Sequence, residues 1–201
     1  MERFLLAEEI SRLATALEAE AVRTGNPYPS AAIKLLLLTG ARRGEIVGLR
    51  WQNVDFNRKC LRLPDSKTGA KVVFLNEPAL EILRSLPRVS NNLHVIPGNR
   101  LGAPFVGINK IWALVRTAAA LRDVRLHDLR HSFASVAVGD GLSLPIIGAL
   151  VGHKNAATTA RYAHLASDPL RAANDAVGEK IAVALRIGSK GDSSVGTSKA
   201  S

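Results

Sequence analysis

The sequence predicts a mixed fold, mainly α with a small antiparallel β-sheet. Two patterns carry that expectation. Apolar residues recur at helical spacing along most of the 201 residues, as with Ile10, Leu13, Ala14 and Leu17. Between residues 51 and 75 the pattern changes to short apolar runs separated by polar turns.

The elements follow in order. Residues 7–23 read as an amphipathic helix, with Glu8, Arg12 and Glu18 between its apolar positions, and Gly25-Asn26-Pro27 stops it. Residues 28–39 form a second, mostly buried helix ending at Gly40, and 42–49 a short third one. Trp51, Val54 and Phe56 then lead into a turn at Asn57-Arg58. Residues 60–63 and 71–75 are strands of a small antiparallel meander, separated by the polar turn Asp65-Ser66-Lys67-Thr68-Gly69. Pro78 suits the first turn of a helix running to about residue 86. Residues 87–105 are loop-rich, with a turn at Pro97-Gly98-Asn99. Residues 108–121 and 128–138 are helical, the second ended by Gly139-Asp140-Gly141. Ser143 is placed as the N-cap of a helix over 145–150, and Asn155 as the cap of a helix carrying Tyr162. Asp168-Pro169 opens a last helix to about residue 185. One domain thus spans 1–186, and residues 187–201, rich in Gly, Ser, Lys and Thr, read as a disordered tail.

Composition narrows the function. Lys and Arg number 27 against 17 Asp and Glu, a formal net charge of +10. A folded domain this basic is expected to meet a polyanion. Aromatic residues are only 4%, which argues against a platform that stacks single-stranded bases and favours contact with a duplex backbone. No apolar run reaches the roughly 18 residues of a membrane span. Glu8 and Glu9 break any leader-like stretch, and the single cysteine, Cys60, reads as a packed strand residue. A cytoplasmic location is expected. No His, Asp and Glu cluster has zinc spacing: His127 and His131 are four apart, but no acidic third ligand is near them in sequence. Neither a metal nor a cofactor is expected.

The residues that carry chemistry are spread over the chain. Arg42 and Arg43 follow Gly40 at a helix start, where free N–H groups favour a phosphate oxygen. They point about 100° apart on the helix, so only one belongs to a site. Glu45 lies one turn further on and is placed to orient a guanidinium. His127 and Arg130 are i and i+3 neighbours, and His153 follows Gly152 in a tight connection. Lys67, at the hairpin tip, is a flexible point charge able to donate a proton. Tyr162 offers a phenol able to attack phosphorus. Tyr28 reads as core, and His94, His131 and His164 are given no role. Any one of these residues alone is more simply a surface charge or a packed side chain; the combination is what suits metal-free strand cleavage.

The order of these residues resembles the catalytic domain of the tyrosine recombinases, the phage integrase family. Thr39-Gly40-Ala41-Arg42-Arg43-Gly44-Glu45 resembles the family's T-G-x-R-x-x-E box, which selects Arg42. Ser66-Lys67-Thr68-Gly69 resembles its hairpin lysine segment, and the run from His127 to Ala134 its H-D-L-R-H-[ST]-x-A box. Leu150-Val151-Gly152-His153, with Thr158, Thr159, Tyr162, Ala163 and His164, resembles its L-G-H … T-x-x-Y-x-H box, Val151 standing for the usual Leu. The resemblance covers about residues 6–180, with a short stretch between Leu86 and Ile108. Such enzymes usually carry a helical N-terminal domain that closes a clamp on DNA, and the resemblance, which starts at about residue 6, leads to the expectation that this sequence covers the catalytic domain without it.

The resemblance implies the family's fold and site-specific DNA recombination. Arg42 and Arg130 would hold the scissile phosphate, and Tyr162 would attack to give a 3′-phosphotyrosine. Lys67 would protonate the 5′ oxygen, His127 would assist proton transfer at the tyrosine, and His153 would bond a phosphate oxygen. Glu45 would support from behind. Partners would be double-stranded DNA and further copies of the chain, forming a tetramer on paired sites through the C-terminal helix. Two alternatives stand beside this reading: a type IB topoisomerase-like relaxing enzyme, and a DNA-binding regulator without cleavage.

Overall fold

A computed structural model describes residues 3–64, 69–153, 155–163, 174 and 176–182. The chain divides into two compact units, residues 1–165 and 166–201.

The first unit is built around α2 (Tyr28–Thr39). Its sequence is apolar on nearly every side, and Ala31, Ala32, Ile33, Leu35 and Leu36 are all buried. A helix with no polar face must be surrounded, and α2 packs against five others: α1 (Ala7–Thr24), α3 (Arg43–Val47), α4 (Glu77–Ser85), α5 (Ile108–Ala118) and α6 (Asp128–Gly139). The amphipathic α1 contributes Leu13 and Leu17, one turn apart, and ends at Gly25 in the left-handed conformation. In α4 the Asn76 side chain caps the helix by accepting from the Ala79 N–H at 3.1 Å, while its own amide donates to the Leu38 carbonyl at 2.9 Å. That pair ties the exit of the sheet to the end of α2.

A 3-10 turn (Trp51–Asn53) leads into a three-stranded antiparallel sheet in the order β1 (Val54–Asp55), β2 (Cys60–Leu63), β3 (Lys71–Phe74). The register sets Leu61 opposite Val73 and Leu63 opposite Lys71. Those four residues therefore share one face. Leu61, Leu63 and Val73 fill it with apolar side chains, and Lys71 closes its end.

Residues 86–107 are irregular, yet Val95 and Ile96 within them are fully buried. Bridges from Arg50 to His94 and from Pro97 to Pro104 hold them down. A Cβ on Gly98 would lie 2.3 Å from the Pro104 carbonyl oxygen, so that crossing needs glycine. After α6 come α7 (Leu144–Val151) and α8 (Ala156–Ala160), packed together.

Several expectations need correction. The stretch at Val54 and Asp55 is a strand, made so by pairing with Leu61 and Cys60 rather than by any periodicity of its own. Helix α5 stops at Ala118, where Ala120 takes a left-handed φ of 56° and Leu121 bonds back to the Arg116 carbonyl. Ser143 occupies the N-cap position of α7 but makes no side-chain cap bond, whereas Asn155 does cap α8, through the Ala157 N–H. Helix α8 ends before Tyr162, which lies on the turn that follows. In the second unit, Asn174 and residues 176–182 are helical, within the expected last helix; the rest of that helix and the 187–201 tail lie outside the described residues.

Candidate active site

Five chain segments build the site: the α2–α3 junction, strand β3, the start of α6, the α7–α8 connection and the turn after α8. Gly40 ends α2 with a φ of 61°, and a Cβ there would lie 2.7 Å from the Phe133 ring on α6. Only glycine permits both the turn and that close approach. The consequence is that the Gly40 carbonyl faces α6 and accepts a 2.6 Å bond from Nη1 of Arg130.

Arg42 is the N-cap of α3, and Glu45 reaches back to it. One carboxylate oxygen accepts from the Arg42 backbone N–H at 2.8 Å, and the other from its guanidinium at 3.0 Å. Nη2 of Arg42 reaches the Gly152 carbonyl at 3.4 Å, linking this segment to the α7–α8 connection. Arg43 turns the other way, towards Asn109 Oδ1 at 3.4 Å. It lines a cleft of about 300 Å³ together with His127 and Arg130. The geometry agrees with Arg42, and not Arg43, being the arginine held by Glu45.

Glu45 has a second partner that the sequence reading missed. Lys71 Nζ lies 2.7 Å from Oε2, and the two side chains are only 13% and 6% exposed. A Cβ on Gly152 would touch the Lys71 ammonium at 3.4 Å, so the lysine also borders the His153 segment. No sequence signal marks this lysine, because its partner is 26 positions away and the strand register aims it. Lys67, the expected hairpin lysine, lies outside the described residues.

Helix α6 opens on His127, whose helical φ and ψ of −71° and −23° put it in register with Arg130 and His131. Its first turn is buried: Asp128, Arg130, His131 and Ser132 are all nearly inaccessible. Asp128 bonds Arg125, and Ser132 accepts from the Leu5 N–H at 2.9 Å while donating to the Asp128 carbonyl at 2.8 Å. These bonds fix the helix that carries the site.

Tyr162 is 2% exposed, and its hydroxyl lies 2.6 Å from Nδ1 of His131. The sequence reading gave His131 no role and gave His127 the tyrosine; of the two, His131 is the one whose ring nitrogen lies within hydrogen-bond distance of the phenol. His127 instead meets the His131 ring edge-on, with centroids 5.1 Å apart. His153 follows the left-handed Gly152, and its Nδ1 pairs with the Thr159 hydroxyl at 2.9 Å.

Electrostatics bind the cluster together. Burial, then the neighbouring Arg42, brings Arg130 down to about 10, against opposing pulls from Glu45 and Tyr162. Burial also lowers Lys71, with Arg42 and Arg130 adding to the effect and Glu45 resisting it. Burial would raise Glu45, but the bonds from Lys71 and Arg42 outweigh it and hold the carboxyl below its ordinary range. His153 falls to about 4, through burial first and then Arg130, Arg161 and Arg42. His127 is lowered by burial, His131 and Arg130. Arg130, Lys71, His127 and His153 are thus depressed first by burial and then by the cations beside them. Such a site is built for an anion, whose arrival would relieve the repulsion. Among the described residues no group of three or more His, Cys, Asp or Glu is arranged to hold a metal ion, and no helix is long and apolar enough to cross a membrane.

The fold and this cluster define a mainly helical domain with a cation-rich, tyrosine-containing site, and comparison with known proteins identifies the lineage. Residues 3–168 match the Phage integrase family, and the chain belongs to that family. Prophage integrase IntF of Escherichia coli (strain K12) is 32% identical over 152 residues, which cover 71% of this chain and 32% of that protein. Among solved structures, XerA recombinase superposes with a TM-score of 0.69 at 25% identity, over 92% of this chain and 66% of that one. XerH site-specific recombinase, bound to its difH substrate in a pre-cleavage complex, gives 0.65 at 20% identity, over 80% of this chain and 49% of that one. The chain thus spans about a third of IntF and about half of XerH.

Proposed function

We propose that this chain is the catalytic domain of a site-specific recombinase, residues 1–186, that cuts and rejoins duplex DNA through a 3′-phosphotyrosyl intermediate. The observation that carries the proposal is the crowding of Arg42, Arg130, Lys71 and His153 in one half-buried cluster, with the Tyr162 phenol inside it. Membership of the integrase family and the likeness to a DNA-bound recombinase supply the substrate.

In this reading Arg42 and Arg130 hold the non-bridging oxygens of the scissile phosphate, where transition-state charge grows. Glu45 fixes Arg42 and holds Lys71 beside it. The Gly40 carbonyl anchors one arm of Arg130 and leaves the rest of its guanidinium for the substrate. His153, kept neutral, bonds a phosphate oxygen. His127 lines the cleft next to Arg130 and assists proton transfer at the tyrosine. Tyr162 attacks phosphorus, and Lys67 protonates the departing 5′ oxygen. The phosphotyrosyl bond conserves the energy of the broken diester, so rejoining is the reverse sequence and needs no nucleotide. The full reaction joins copies of the protein on paired sites, with residues 168–185 as the contact between them. The setting is the cytoplasm.

The test is a pool of nicked duplexes of randomised sequence, in which the fragment beyond the cut diffuses away and traps the covalent complex. The wild-type chain is expected to yield a denaturant-resistant protein–DNA adduct, and Tyr162→Phe none. No adduct with the wild type, or an adduct mapped to Tyr28, refutes the assignment.

A further inference from the structure

Thr159 stands between two residues of the site and bonds to both. It lies on α8 and is 2% exposed. Its hydroxyl pairs with Nδ1 of His153 at 2.9 Å, and its carbonyl accepts the Tyr162 N–H at 3.0 Å. His153 is also held by α7, where the Gly148 carbonyl accepts its backbone N–H at 2.8 Å. Gly148 is buried, and a Cβ there would lie 2.8 Å from the Thr159 hydroxyl oxygen, so the missing side chain is what gives that hydroxyl its place. We propose that Thr159 is a positioning residue: its hydroxyl donates to Nδ1 of His153, which leaves the imidazole proton on Nε2, as a donor to a phosphate oxygen. The proposal rests on the reading of His153 as a phosphate ligand given above.

The direction of that bond follows from burial. A buried hydroxyl proton without an acceptor is costly. Among the described residues the one side-chain hydrogen bond of Thr159 is to His153, so Nδ1 is the acceptor and carries no proton. The charge state agrees. Burial first, then Arg130, Arg161, Arg42 and His131 hold His153 down to about 4, so at neutral pH the ring has a single proton. With Nδ1 bare, that proton is on Nε2. The opposite tautomer would turn a lone pair towards the phosphate and strand the Thr159 proton. One hydroxyl thus decides whether His153 attracts or repels the anion. Because the carbonyl of the same residue holds the Tyr162 N–H, donor and nucleophile are set from one point of the chain.

The probe is the nicked duplex recovered as adduct from the randomised pool. Adduct formation at saturating protein is timed in the wild type, Thr159→Val, Thr159→Ser, His153→Ala and the double variant Thr159→Val with His153→Ala. Nitrogen NMR reads the His153 ring in the resting protein. Valine keeps the shape of threonine without the hydroxyl, and serine keeps the hydroxyl. The wild-type ring should carry its proton on Nε2 with Nδ1 bare. Thr159→Val should slow the reaction about 10–100-fold, the range lost when a metal-ligand histidine loses the bond that orients its ring. Duplex affinity should change little, because many other cations hold the backbone. Thr159→Ser should run near the wild-type rate. His153→Ala should lose about 10²–10³-fold, and adding Thr159→Val to it should cost nothing more, since the two act as a unit.

A proton on Nδ1 in the wild type, a wild-type rate in Thr159→Val, a loss that serine does not rescue, or a full further loss in the double variant overturns the proposal. If valine unfolds the domain, the wild-type tautomer and the Thr159→Ser rate decide it. The reading beneath fails differently: a wild-type rate in His153→Ala overturns His153 as a phosphate ligand, and no adduct from the wild type overturns the recombinase reading, whichever nitrogen holds the proton.

Discussion

Acid should loosen this domain through His153, by an amount the structure sets. The imidazole is pressed between burial and the Arg130, Arg161 and Arg42 cations, which hold it down to about 4 from an ordinary 6.5. Unfolding releases it from that environment. Between those two values the unfolded chain binds more protons than the folded one, so stability rises with pH across the window and falls as the solution is acidified. At roughly 1.36 kcal/mol per pKa unit the whole difference is about 3 kcal/mol, of which about 2 kcal/mol is lost between pH 8 and 5. His153→Gln keeps a polar side chain with nothing to protonate in this range. Urea unfolding of the wild type and the variant at the two pH values gives the difference. The variant's loss on acidification should be smaller by about 2 kcal/mol, or roughly 30-fold in the unfolding equilibrium. Sulfate should return part of the wild-type loss, because a bound anion offsets the arginines. An identical acid dependence in both proteins, or a His153 imidazole seen by NMR to titrate near 6.5 in the native state, refutes the argument.

Other perturbations have equally definite outcomes. Arg42→Ala should slow adduct formation by about 10²–10³-fold while DNA binding weakens far less, and Arg43→Ala should do neither; the reverse ranking, measured on the trapped duplex, would show that Glu45 orients the wrong arginine. Glu45→Gln strands the buried Lys71 ammonium and should cost about 3–5 kcal/mol in urea unfolding, most of it recovered in Glu45→Gln with Lys71→Met, whose buried pair carries no charge. No recovery in the double variant would mean that the pair is not a stability element. Cleavage should survive excess EDTA, since the site supplies cations where a nuclease supplies carboxylates for magnesium; loss in EDTA with rescue by magnesium contradicts the mechanism.

Much of this molecule is local and therefore legible. Helix α2 was bounded correctly because an apolar run interrupted only by Lys34 meets a glycine, and both signals lie within a dozen residues. The strands over residues 60–63 and 71–74 announce themselves by β-rich runs around a polar turn. Arg42 with Glu45, and His127 with Arg130, each fall within one helical turn, so spacing alone placed them as neighbours. Where a local rule was silent the reading failed. Strand β1 is two residues long and exists only by pairing, and α5 stops at an alanine, a residue that carries no stop signal.

The sequence by itself determined the inventory: a basic, mainly helical domain with two arginines, several histidines, a hairpin lysine and a tyrosine in a recognisable order. The tertiary structure decided who touches whom. Arg130 meets the Gly40 carbonyl across 90 positions, Lys71 meets Glu45 across the sheet register, and Tyr162 meets His131 rather than His127. Each of those contacts is fixed by how α2, α6, β3 and the turn after α8 pack, and packing is a property of volumes filled together. A neighbour four residues along a helix can be read from spacing; one brought in from another segment is chosen by the core that holds both.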